Sequence, residues 1–164
     1  MKAGMRFARA GLLALLTAAS AGACAHAKIP KTEIDDTPEN RAIIEVISTY
    51  HRALEGRDAE AVLELVSPRY YEDNGNTDKA DDYDYEGLRS ALASDFKRTK
   101  RLQLDLQIES ISYDQKEELA YAFIEYTYRA QSDFPAGLRW KTSTDRARLT
   151  MESRNGKWLI RAGL

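Results

Sequence analysis

The sequence has one cysteine, Cys24, and two histidines, His26 and His51, in 164 residues. A single cysteine cannot form an intrachain disulfide. One cysteine and two histidines also give no paired metal-ligand spacing. The chain also has no glycine-rich phosphate loop, no dinucleotide-binding fingerprint and no Gly-x-Ser-x-Gly nucleophile elbow. These absences argue against the corresponding metal-binding, nucleotide-binding and hydrolase classes, and the sequence predicts no cofactor.

An excess of basic residues is also missing. Lys and Arg together number 24 against 26 Asp and Glu, which gives a formal net charge of -2. Nucleic-acid binding needs a basic face, because cationic side chains displace the counterions of the phosphates. We therefore predict no nucleic-acid partner. A hydrophobic content of 43% is sufficient for one compact domain with its own core.

The first 23 residues have the pattern of an export signal. Three basic residues and no acid precede the apolar run Gly11–Ala19, and small residues lead up to Cys24. The apolar run is shorter than the roughly 20 residues that a spanning helix needs. We predict a lipoprotein signal peptide over 1–23, acylation of Cys24 and a polar tether over 24–36.

Location follows from this signal. Acyl chains on Cys24 would bind the membrane stably, and Ala25 in place of aspartate is typical of outer-membrane lipoproteins that face the periplasm. Removal of 1–23 takes away three positive charges, which moves the formal net charge from -2 to -5. The alternative is an ordinary secretory signal, which would give a secreted or periplasmic soluble protein.

Helical patterns open the predicted domain, which covers 37–164. Thr37 and Pro38 are typical of a helix start, and apolar residues recur at helical spacing until Gly56. Asp58 predicts the cap of a shorter second helix. A third helix is predicted over 85–99. The turn residues 74–76 and an acidic loop separate the second and third helices.

The remaining sequence predicts strands. Apolar and polar residues alternate from Leu102 to Ile108, and the phase slips at Glu109–Ser110, which indicates a β-bulge and a curved sheet. Two long strands follow over 119–131 and 139–154. Asn155-Gly156 is a two-residue hairpin signal before the last strand. Together with the helices, this order predicts an α+β fold.

Three segments in this order, 50–58, 65–68 and 156–160, resemble the nuclear transport factor 2-like superfamily, including its SnoaL-like bacterial members. The resemblance covers roughly residues 39–164. It implies a cone-shaped, curved antiparallel sheet packed against N-terminal helices, an arrangement also called cystatin-like. It further implies a pocket inside the cone and, often, a homodimer.

Tyr50 and Asp73 are the candidate catalytic residues that this resemblance implies. Family members similar to ketosteroid isomerase use a first-helix tyrosine as oxyanion donor and a later aspartate as general base. Tyr50 matches the tyrosine, but the ungapped base position is Asn74, and Asp73 matches only after a one-residue slip. An isomerase, lyase or hydrolase that uses Tyr50 and Asp73 is therefore the alternative to a non-catalytic domain.

Tyrosines provide the candidate ligand site. The predicted pocket residues are Tyr50, Tyr70, Tyr126, Tyr128 and Trp140, because clustered aromatic side chains suit a small hydrophobic or aromatic ligand. Ordinary strand composition is the other explanation for these tyrosines. His51 is one helical step from Tyr50, about 100° around the axis, and is expected to point away from the pocket.

Residues 82–87 superficially resemble the start of a calcium loop. The twelfth position is Ala93 and not a bidentate glutamate, so the sequence predicts no metal site and assigns Asp84 as a helix cap. The favoured function is a membrane-anchored envelope lipoprotein whose non-catalytic domain binds a small ligand or a partner protein. A purely structural or dimerising interaction domain is a further alternative.

Overall fold

The computed structural model describes residues 27–134 and 137–164, so the predicted signal peptide and Cys24 lie outside the described residues. The elements in these ranges are α1 (Pro38–Gly56), α2 (Ala59–Leu63), β1 (Tyr71–Glu72), β2 (Tyr83–Asp84), α3 (Tyr85–Arg98), β3 (Thr99–Asp114), β4 (Leu119–Phe134), β5 (Gly137–Arg154) and β6 (Lys157–Ala162). The predicted α+β fold is confirmed.

Side-chain caps begin all three helices of the described residues. The Thr37 hydroxyl accepts the Asn40 N–H at 3.1 Å, and the Asp58 carboxylate accepts the Ala61 N–H at 3.0 Å. Asp84 Oδ1 accepts the N–H groups of Glu86 and Gly87 at 3.1 and 3.0 Å. Each cap satisfies backbone donors that have no partner within the helix. The three caps predicted from the sequence are therefore confirmed.

The main sheet is antiparallel, with its strands in the order β3-β4-β5-β6. Its register shifts between Ile108 and Ser110, where the sequence predicts the bulge. Asn155 and Gly156 have positive φ angles of 52° and 75° in the turn between β5 and β6, as a two-residue hairpin requires. β1 and β2 pair separately, and the sequence patterns did not predict β2.

The core lies between α1, α2 and the inner face of the main sheet. On α1, Ile43 and Ile47 are one turn apart and have no exposed surface. Each such side chain contributes roughly 1.5–3 kcal/mol through its removal from water. The largest fully buried residues of the sheet are Leu149, Met151 and Ile160.

The N-terminal residues of the described chain are folded. The Asp36 N–H donates to the Ala27 carbonyl, the Ile29 N–H donates to the Ile34 carbonyl at 2.9 Å, and the Ile34 side chain is only 5% exposed. Part of the segment predicted as a tether thus forms a compact turn, because Ile34 has an apolar surface to cover. Among the described helices, none has both the length and the apolar character required to cross a membrane.

Candidate functional site

A cavity of about 250 Å³ lies between α1 and the inner face of the sheet. Most of its wall is apolar, since leucines from β3 and aliphatic residues from β4 and β5 point into it. The lining residues are Tyr50, Leu54, Leu102, Leu104, Leu106, Ile124, Tyr126, Tyr128, Ala147, Leu149, Gly163 and Leu164.

Three tyrosines supply the polar groups of this wall. Tyr50 follows the buried Ile47 by three residues and so lies on the same face of α1. Tyr126 and Tyr128 alternate along β4 and share its inner face. No hydrogen-bond partner of the Tyr50 or Tyr126 hydroxyl occurs among the described residues, so both are available to a bound molecule.

Burial alters the ionisation of these phenols. Desolvation raises the pKa of Tyr50 well above its ordinary value, and the neighbouring Tyr126 and Tyr83 add to this effect. The pKa of Tyr126 is also raised, first by burial and then by the charge of Asp145 on the neighbouring strand. Both hydroxyls therefore remain neutral hydrogen-bond donors at physiological pH.

A wider outer recess of about 560 Å³ adjoins the cavity and shares Leu54, Leu102 and Tyr128 with it. Its rim is more polar. Arg98 and Asp95 form an ion pair at 2.5 Å, and the Lys141 ammonium lies 5.7 Å from the centre of the Tyr128 ring. The combined space thus has an apolar inner end and a charged entrance.

The structure does not bring Asp73 to the cavity. Asp73 is exposed, and its carboxylate accepts the Gly75 N–H at 2.9 Å in the turn that follows β1. No aspartate, glutamate or histidine occurs among the described residues that line the inner cavity. Tyr50 and Asp73 are therefore not assembled as the donor and base of one site.

Tyr70 and Trp140 need correction, because the structure places them outside the cavity wall. Tyr70 is 2% exposed, and its hydroxyl donates to the Leu164 backbone oxygen at 3.2 Å. Trp140 is 51% exposed and pairs with Gln131 across the sheet. Because Gln131 lies three residues from Tyr128 on β4, Trp140 is on the opposite, outer face.

His51 contacts the edge of β3 and not the cavity. Its Nε2 lies 2.6 Å from the Leu104 carbonyl oxygen and 3.7 Å from Glu55 Oε2. The ring is thus held between α1 and β3, on a different side of the helix from Tyr50, as the helical step predicts. This arrangement gives His51 a structural partner.

The acidic segment before α3 holds no candidate metal site. Asp84 acts as the cap of α3, and the Asp82 carboxylate accepts a hydrogen bond from the Tyr71 hydroxyl. In 27–134 and 137–164, no three His, Cys, Asp or Glu side chains are grouped so that they could hold an ion.

Sequence reasoning missed part of the cavity wall. Gly163 and Leu164, which follow β6, also line the cavity. The inner-face leucines Leu102, Leu104 and Leu106 were recognised as a strand pattern only. The available signal was their alternation together with the bulge, because a bulge bends the strand and so indicates a curved sheet face on which these leucines lie.

No family model matches the sequence, and no curated protein matches it either. Solved structures do match. A putative scytalone dehydratase from Novosphingobium aromaticivorans has a TM-score of 0.65 at 12% identity, over 76% of this chain and 80% of that one. A ketosteroid isomerase-like protein from Erwinia carotovora atroseptica has a TM-score of 0.62 at 13% identity, over 77% and 94%.

An uncharacterised protein with a cystatin-like fold from Caulobacter vibrioides gives a TM-score of 0.60 at 19% identity, over 76% of this chain and 85% of that one. These structural matches establish the fold, but sequence identities this low leave the chemistry open. The class is therefore α+β, with helices against a curved four-stranded antiparallel sheet. Within that class, this chain has the nuclear transport factor 2-like, cystatin-like fold, which confirms the fold that the resemblance implies.

Proposed function

We propose that this protein is a non-catalytic binding protein whose cavity holds a small, uncharged and largely apolar molecule. The observation that carries the proposal is the composition of the inner wall, where tyrosine hydroxyls are the only side-chain polar groups among the described lining residues. Such a wall can position a ligand by hydrogen bonds, but its described side chains include no carboxylate or imidazole to take up a proton.

The free hydroxyls of Tyr50 and Tyr126 define the chemistry of the ligand. A molecule with an apolar ring or short chain would cover the leucines, and one hydroxyl or carbonyl group would pair with a phenol. A charged group would lose its hydration at the inner end without gaining an opposite charge. The cavity therefore favours an uncharged ligand.

The first test is native mass spectrometry of the purified protein. We expect an added mass that disappears on denaturation and that identifies the chemical class of the ligand. For affinity, 2-naphthol and naphthalene form a matched pair of fluorescent probes that differ by one hydroxyl. We expect Tyr50→Phe to weaken 2-naphthol about fivefold, which corresponds to one hydrogen bond of about 1 kcal/mol, and to leave naphthalene unchanged.

Two further variants control this experiment. Ala147→Phe projects a ring into the cavity and should abolish binding of both probes. Tyr121→Phe removes a hydroxyl from the outer face of the sheet and should change neither affinity. Equal loss of both probes in Tyr50→Phe would contradict the hydrogen-bonding role. Turnover of a carbonyl substrate that Tyr50→Phe abolishes would overturn the non-catalytic assignment in favour of an isomerase or lyase.

The proposed location is the cell envelope, with Cys24 as the lipid anchor. Only two residues, 25 and 26, separate Cys24 from the folded turn that begins at Ala27. That turn packs beside Tyr113 near the end of β3, whereas Thr99, at the start of β3, lines the outer recess. An anchor at Cys24 would therefore hold the domain by one end and leave the entrance at the other.

Metabolic labelling with radioactive palmitate tests the anchor. We expect label and membrane fractionation for the full chain and neither for Cys24→Ala. Label that persists in Cys24→Ala would contradict the assignment, and a processed, unlabelled and soluble wild-type protein would support the secretory alternative. This test is independent of ligand binding.

A further inference from the structure

β5 is much longer than the strand that covers its outer edge. β6 pairs with β5 only over Thr150–Arg154, whereas β5 begins at Gly137. In the described part of the chain, no other strand pairs with the outer edge of 137–149. The residues from Leu138 to Arg146 are exposed except for the half-buried Ser143. We call 138–146 the free edge.

The direction of the backbone groups on this edge follows from the pairing of β6. Ile160 exchanges hydrogen bonds with Leu65 and Ser67, so its backbone groups face away from β5, and those of its neighbour Leu159 face β5. Leu159 pairs with Glu152, whose backbone groups therefore face β6. The β4–β5 register is continuous, so even-numbered residues of β5 point outward along the whole edge.

Two contacts agree with this alternation. The Arg148 carbonyl oxygen faces the chain after β6, since a Cβ at Gly163 would lie 2.3 Å from it. The Arg146 N–H is accepted by the Asp145 carboxylate at 2.8 Å and not by β4. The outward N–H and C=O groups of Leu138, Trp140, Thr142 and Thr144 thus have no strand to pair with in the described residues.

The opposite edge of the sheet is closed by α1. Glu55 accepts the Leu104 N–H at 2.9 Å, His51 contacts the Leu104 carbonyl oxygen, and Arg57 donates to the Thr99 carbonyl at 2.6 Å. Side chains of one helix therefore satisfy outward backbone groups of β3. The contrast makes the free edge of β5 the place where another strand can add to the sheet.

Charge along the free edge selects the partner. Arg139 and Asp145 lie three residues on either side of Thr142, and no ion pair of either occurs among the described residues. Arg146 is already paired with Glu125 at 3.0 Å and Glu109 at 3.2 Å. In an antiparallel pair of two identical edges centred on Thr142, each Arg139 would lie opposite the Asp145 of the other copy.

We propose that two copies of this chain associate through their free edges, as an antiparallel β5–β5 pair centred on Thr142 that continues the sheet across a two-fold axis. The interface is isologous, so its ion pairs between Arg139 and Asp145 occur twice. All outward groups from Leu138 to Arg146 find partners in this register. A register centred on Lys141 would place two ammonium groups opposite each other, and one centred on Trp140 would oppose Arg139 and Lys141.

Charge reversal tests the register in solution. The oligomeric state of the full chain with Cys24→Ser is measured by sedimentation from low micromolar to submillimolar protein. We expect a dimer that weakens about tenfold or more in Arg139→Asp and in Asp145→Arg, because each change creates two like-charge contacts. The double variant exchanges the two charges and should restore dimerisation. Arg101→Asp, on β3, is the matched control and should have no effect.

Cysteine cross-linking gives an independent readout. Directly opposed residues in such a pair have Cα atoms about 5.5 Å apart, within the range of a disulfide. Thr142→Cys should therefore form a covalent dimer under mild oxidation, whereas Gln103→Cys, exposed on β3, should not. A monomer at all concentrations, a dimer indifferent to both charge reversals, or a native mass that shows an extended peptide bound in place of the second copy would each overturn the proposal.

Discussion

The Ser67 hydroxyl donates a hydrogen bond to the Glu152 carboxylate, and neither residue has more than 2% of its surface exposed. Arg69 binds the other carboxylate oxygen from the surface, and Arg161 Nε lies 3.7 Å away. Burial alone would raise the pKa of Glu152, but the hydrogen bonds from Ser67 and Arg69 and the two positive charges outweigh it and lower the pKa. This group joins the segment after α2 to β5.

Glu152→Gln should destabilise the fold. The substitution keeps the shape but removes the charge that Ser67 and the two arginines stabilise, so we expect a loss of roughly 1–3 kcal/mol in the free energy of unfolding. Because the folded-state pKa is lowered, the stabilisation is fully present above the ordinary glutamate range and is lost as pH falls through the folded-state value.

Urea unfolding of wild type and Glu152→Gln at several pH values measures both effects. The difference between the two proteins should shrink as the solution is acidified. Ser67→Ala provides the matched comparison, since it leaves the charge in place. A difference that stayed constant from neutral to acidic pH would show that packing, and not ionisation, accounts for the loss.

Gly163→Ala should be strongly destabilising. Gly163 has a φ of +100°, and an added Cβ would lie 2.3 Å from the Arg148 carbonyl oxygen, so the backbone would have to move. We expect a loss of about 2 kcal/mol or more. Gly56→Ala is the control, because nothing lies within 4 Å of a Cβ there. Its helical position predicts a gain of about 0.5 kcal/mol. Thermal unfolding of both variants ranks them.

Tyr50 should not ionise where an ordinary tyrosine does. Its pKa is raised above the ordinary value of 10.0 mainly by desolvation. The absorbance change between neutral pH and pH about 11 should therefore be the same for wild type and Tyr50→Phe. A smaller absorbance change in Tyr50→Phe than in wild type would show that the cavity admits bulk water.

Glu55 should protect the Leu104 amide from solvent exchange. Its carboxylate accepts this N–H at 2.9 Å on the edge of β3. We expect Glu55→Ala to accelerate hydrogen exchange at Leu104 about fivefold, which corresponds to roughly 1 kcal/mol for a partly exposed hydrogen bond. Glu55→Gln keeps an acceptor and should give a smaller change. Unchanged exchange in both variants would place the protection of β3 elsewhere.

Local chemistry explains why much of the fold was predictable. The caps at Thr37, Asp58 and Asp84 act within three residues, and the bulge near Ser110 interrupts a strict alternation. The hairpin at Asn155-Gly156 depends on two adjacent residues. β2 was missed because Tyr83–Asp84 is too short to show a period and forms only against β1. The compact turn before α1 depends on burial of Ile34, which no local pattern reports.

The candidate site was predicted less well, because lining a cavity depends on tertiary pairing. Tyr126 and Tyr128 share a face by alternation alone. Trp140 could be placed on the other face only from the register of the β4–β5 hairpin, which pairs it with Gln131. Tyr70 is turned to the Leu164 backbone by contacts that span 94 residues. No pattern within either segment contains that information.

The strand order of the main sheet has a consequence for how the chain folds. Because β3, β4, β5 and β6 are neighbours both in sequence and in the sheet, each pairing closes a short loop and can form early, hairpin after hairpin. The contact of Val66 with Ile160 instead joins segments that are far apart in the sequence. Closing that long loop costs more conformational entropy than closing a hairpin, so we expect substitutions at this junction to slow folding more than substitutions within the hairpins.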